Sequence, residues 1–85
     1  MNRTEVTYGQ LDKALRSLGF SCRLVKKEPP TRVYEHKESG AWLMMPPFPE
    51  PGFVLEHHLV GARTTLDNFR IADPEVFDAQ LQKAG

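Results

Sequence analysis

Thr7-Tyr8-Gly9-Gln10-Leu11-Asp12-Lys13-Ala14-Leu15-Arg16-Ser17-Leu18-Gly19-Phe20 reads as a helix with both ends marked. Thr7 and Gln10 have the spacing of a capping box, in which each side chain satisfies the other residue's backbone N–H. Val6 and Leu11 hold the two positions of a hydrophobic staple. Leu11, Ala14, Leu15 and Leu18 recur with the helical period and form one apolar face. Asp12, Lys13, Arg16 and Ser17 fill the opposite face. Gly19 falls where a left-handed residue closes a helix, and Phe20 can then fold back on Leu15. The helix is expected from Tyr8 to Leu18, weakened by Gly9 in its first turn by up to about 1 kcal/mol. Its ending also launches the chain into a strand with Phe20 toward the core.

Phe20-Ser21-Cys22-Arg23-Leu24-Val25 alternates apolar and polar residues, which predicts a strand with Phe20, Cys22 and Leu24 on the core face. Lys26-Lys27-Glu28-Pro29-Pro30 breaks it, because two prolines impose an extended loop without backbone donors. Thr31-Arg32-Val33-Tyr34-Glu35-His36 is rich in β-formers and reads as the second strand. Lys37-Glu38-Ser39-Gly40 is a turn short enough to make an antiparallel hairpin with Ala41-Trp42-Leu43-Met44-Met45. That third strand is entirely apolar, the pattern of a strand covered on both faces or placed centrally. Pro46-Pro47-Phe48-Pro49-Glu50-Pro51-Gly52 reads as a stiff crossover, with a PxxP ligand as its other reading. Leu55, Leu59, Ala62, Leu66 and Phe69 then lie on one face of a second helix, from about Leu55 to Phe69. Asp73-Pro74 opens a third, short helix that Phe77 and Leu81 can dock. Segregated strands between helices imply an α+β layer: a three-stranded antiparallel sheet with helices on one face and an additional short C-terminal helix.

The 85 residues are expected to form one domain, 1–85, with a modest core. One cysteine, Cys22, suits a reducing compartment, and the amino terminus lacks the apolar stretch of a signal peptide. No apolar run reaches membrane-spanning length. These features predict a cytoplasmic protein without a membrane partner. The formal net charge is zero, yet residues 1–37 hold 8 Lys/Arg against 4 acids and residues 38–85 hold 3 against 7. Such asymmetry allows a basic face for nucleic acid, or two halves that attract each other in the fold.

No intact catalytic or metal-binding motif stands in the chain, and no cofactor is implied. His57 and His58 are neighbours on a predicted helix, so they point about 100° apart and lack the i, i+4 spacing of a metal pair. His36 ends a strand beside a turn and has the chemistry of a general base, though spacing indicates no partner for it. Cys22, Trp42, Met44 and Met45 read as core residues. The remaining candidates are Arg23, Lys26, Lys27 and Arg32, which surround the turn between the first two strands and could hold phosphates.

The element order and several residues resemble the HicA-type messenger-RNA interferase toxins. The similar stretch runs from about Tyr8 to Leu66. It holds a helix closing in Leu18-Gly19-Phe20, a strand, a basic turn, then Val33-Tyr34-Glu35-His36, a Ser39-Gly40 turn and a strand ending in Pro46. The resemblance implies a helix–three strands–helix domain like the double-stranded-RNA-binding fold, metal-independent RNA cleavage by a histidine entering the second strand, and a HicB-type antitoxin partner. Here Pro29-Pro30-Thr31 occupies the family's glycine, serine or threonine, histidine stretch, so Thr31 stands at the catalytic position. The leading expectation is therefore a HicA-like module without catalysis, binding RNA or a protein partner. Its rivals are a metal-independent ribonuclease of a toxin–antitoxin pair with His36 as a displaced base, and an adaptor without nucleic acid.

Overall fold

A computed structural model describes residues 3–26, 30–45 and 52–84. Their order is β1 (Arg3–Thr7), α1 (Tyr8–Ser17), β2 (Ser21–Val25), β3 (Thr31–His36), β4 (Ala41–Met45), β5 (Phe53–Leu55), α2 (Glu56–Asn68) and α3 (Pro74–Ala84). The expected α+β class is present: β2, β3 and β4 form a three-stranded antiparallel sheet between helices, in the order β2-β3-β4.

The punctuation of α1 is realised at both ends. Gln10 N–H donates to the Thr7 hydroxyl at 3.1 Å, and Thr7 N–H donates to the Gln10 side-chain oxygen at 2.9 Å. At the other end Phe20 N–H reaches the Leu15 carbonyl at 3.0 Å and Gly19 N–H the Arg16 carbonyl at 3.1 Å, a full Schellman closure. Gly19 takes φ +99° to make it. Phe20 is buried and packs in one cluster with Leu11, Ala14, Leu15, Tyr34, Leu43, Leu59, Leu66 and Phe77. Each of these leucines and phenylalanines contributes roughly 1.5–3 kcal/mol by leaving water. In α3, Val76 N–H donates to the Asp73 carboxylate at 2.9 Å, and Phe77 and Leu81 are buried as expected.

Four details differ from the expectation. Ala41–Met45 is an edge strand, with Ala41, Leu43 and Met45 buried but Trp42 57% and Met44 59% exposed. Its apolar composition therefore does not reflect cover on both faces. Leu24 lies on the core side but is half-exposed, because β2 is the other edge and its far end runs past the packed cluster. Phe69, expected on the buried face of α2, is exposed; it caps the helix where the chain turns away. A second, two-stranded antiparallel sheet joins β1 to β5, outside the three expected strands. The prolines of 46–51, and with them the crossover and PxxP readings, lie outside the described residues.

Candidate functional site

Pairing fixes which side chains share a face. Cys22, Tyr34 and Leu43 are in register, as are Leu24, Arg32 and Met45; these face the helices. Ser21, Glu35 and Trp42 form a row on the opposite face, followed by Arg23, Val33 and Met44. Among the described residues no element covers that second face. It holds a groove of about 420 Å³ lined by Arg23, Val25, Val33, Glu35, Trp42 and Met44, with the turn residue Lys37 at its end. Val33 is buried although it points this way, in register between Arg23 and Met44.

Of the basic residues expected to form one patch, Arg23 and Arg32 lie on opposite faces of the sheet. Arg23 is on the open face, where its guanidinium meets the Glu35 carboxylate at 2.8 Å. Arg32 is on the helix side, beside Tyr34. Lys26 is exposed beyond β2, and Lys27 lies outside the described residues. Strand alternation separates Arg23 from Arg32: they pair with Val33 and Leu24, whose side chains point to opposite faces. The described ion pairs, Asp12–Arg16, Arg23–Glu35 and Arg63–Asp78, each join residues of the same half of the chain, so no described ion pair draws the basic and acidic halves together.

Tyr34 anchors a polar network on the helix side. Its hydroxyl donates to Asp12 at 2.7 Å, and Asp12 also accepts from Arg16 at 3.0 Å. Burial and the Asp12 carboxylate push the Tyr34 phenol well above its ordinary range, against the opposing Arg32 guanidinium. It remains protonated and acts as a strut between α1 and β3.

His36 has partners that spacing did not reveal. Ser39 N–H donates to Nδ1 at 3.3 Å, and the Ser39 hydroxyl lies 2.8 Å from the same nitrogen while accepting the Ala41 N–H at 3.1 Å. The ring stands against Phe20, centroids 5.1 Å apart, on the face away from the open groove's Glu35 and Trp42. With Nδ1 accepting the Ser39 N–H, the ring locks the turn. The i, i+3 placement of His and Ser across a hairpin turn is the signal that could have shown this.

The other histidines divide. His57 is exposed. His58 is half-buried, its Nδ1 2.9 Å from the Tyr8 hydroxyl, which also accepts the Leu55 N–H at 3.3 Å. Burial, and then His57 beside it, lower the His58 pKa. Among the described residues no three His, Cys, Asp or Glu side chains are placed to hold a metal ion. Among the described residues no helix is long and apolar enough to cross a membrane. Compared with protein-family models, curated proteins and solved structures, the chain matches none.

Proposed function

We propose that this chain is a HicA-like binding module without catalysis, and that it takes a protein partner on the open face of its sheet. The observation that carries the reading is the pair Trp42 and Met44, each more than half exposed on one face of one strand. An indole and a thioether side by side supply large, adaptable contact area, and tryptophan is enriched where binding energy concentrates. The Arg23–Glu35 pair beside them offers a polar rim. The absence of catalysis is supported by Thr31 at the family's histidine position and by the tie between His36 and Ser39. The single cysteine supports a cytoplasmic setting.

The test is co-purification of the full chain from its native host after nuclease treatment, in parallel with Trp42→Ala. A protein partner is expected to survive nuclease and moderate salt, and its affinity to fall by about tenfold or more in the variant. A partner held equally by Trp42→Ala would overturn the assignment of this face. RNA binding is the second reading, favoured by Lys37 and Arg23 lining the groove with Trp42. A base stacked on the indole with its phosphates on these cations would show affinity falling steeply with salt.

A further inference from the structure

The sheet has two edges, and they are built differently. Among the described residues no strand pairs with the outer side of β2 or of β4. Exposed edges invite pairing with another chain, and proteins commonly defend them with a charge. β2, Ser21-Cys22-Arg23-Leu24-Val25, has an arginine at its centre. Antiparallel pairing of two copies of β2 about Arg23 would set like charges directly opposite each other, which is destabilising. β4, Ala41-Trp42-Leu43-Met44-Met45, has no charge at any position.

We propose that β4 pairs antiparallel with β4 of a second copy of this chain, about a twofold axis at Leu43. In that register Trp42 stands opposite Met44 of the second copy, and Ala41 opposite Met45. Trp42 and Met44 share the open face, so the twofold gathers two indoles and two thioethers into one cluster. Sulfur–aromatic contacts are favourable in that arrangement. Leu43 meets its own equivalent on the axis. The pairing joins the two three-stranded sheets into one and leaves their open faces continuous. The formal net charge of zero adds no long-range repulsion between copies. The inference goes beyond the partner reading: self-association is measured on the purified chain alone, so either can fail without the other.

The test is sedimentation equilibrium of the purified full chain from about 1 to about 500 μM, with circular dichroism to check folding. Trp42 and Met44 are exposed, so changes there leave the core intact. The wild type is expected to dimerise reversibly. Trp42→Lys and Met44→Glu are each expected to weaken the dimer by about tenfold or more, because each sets an unpaired charge against an apolar neighbour. The double variant W42K/M44E places the two introduced charges opposite each other twice across the axis, and is expected to recover to within about threefold of wild type. A wild type that stays monomeric over the range overturns the proposal. So do single variants that dimerise as well as wild type, or a double variant that fails to recover.

Discussion

Gly19 and Arg70 hold the same place in two helix endings. After α1, Gly19 sits at φ +99°. After α2, Arg70 sits at φ 55°, with its N–H on the Asp67 carbonyl at 3.1 Å and the Ile71 N–H on the Leu66 carbonyl at 2.9 Å. Both are Schellman closures, but only the first has the residue that adopts this conformation freely. The two positions therefore answer substitution in opposite directions. Gly19→Ala adds left-handed strain and a Cβ 3.1 Å from Nε2 of His36, a ring already held by Ser39. It is expected to cost about 1–2 kcal/mol. Arg70→Gly relieves the strain and is expected to gain up to about 1 kcal/mol, part of it lost to the greater freedom of glycine in the unfolded chain. Urea unfolding of the two variants checks both signs, and a stabilising Gly19→Ala would show that the closure at α1 is not strained by a side chain.

At the scale of elements, the beginnings of α1 and α2 are tied through one hydrogen-bonded pair, Tyr8 and His58. Burial and then His57 hold the His58 pKa below its ordinary 6.5. The unfolded chain has no such restraint, so on acidification it binds the proton first. Between the two pKa values the unfolded state carries more protons than the folded one, and stability rises with pH across that window. The full contribution is present above about pH 6.5 and is lost as the pH falls toward the folded value. His58→Asn keeps a polar group beside Tyr8 but cannot titrate. Urea midpoints measured from about pH 7 to about pH 5 are expected to fall more steeply for wild type than for His58→Asn. Identical slopes would remove His58 as the cause.

The elements that sequence reading placed correctly are those specified by neighbours. Thr7 with Gln10, Gly19 with Phe20, and Asp73 with Pro74 each set a boundary within a few residues, and each boundary is found where the spacing puts it. The pairing of β1 with β5 was not legible, because its strands are short and separated by most of the chain; β5 has three residues. The exposure of Trp42 and Met44 was not legible for a related reason. A run such as Ala41–Met45 has the same composition whether it is central or at an edge, and strand order is settled by the whole layer. Alternation also divides two of the basic residues: Arg23 and Arg32 flank one turn in the sequence, yet the pleat sends them to opposite faces.

For the whole molecule, α3 is where the minimal helix–sheet–helix pattern and the physical core part company. It lies beyond the stretch that resembles the toxin family, yet it packs against both other helices and inserts Phe77, which is fully buried, into the same cluster as Leu15, Tyr34 and Leu66. A chain of this size has only about 4–13 kcal/mol of stability at the usual 0.05–0.15 kcal/mol per residue. Phe77→Ala opens a cavity at the centre of that cluster and is expected to cost roughly 3–5 kcal/mol. The loss is thus a large share of the total, and a thermal melt is expected to shift down by more than about 10 °C. Phe77→Leu, which keeps most of the volume, should lose much less. A change of only a few degrees for Phe77→Ala would mean that α3 is an appendage. The expected large shift means that the sheet and its open face depend on a helix that the minimal pattern does not include.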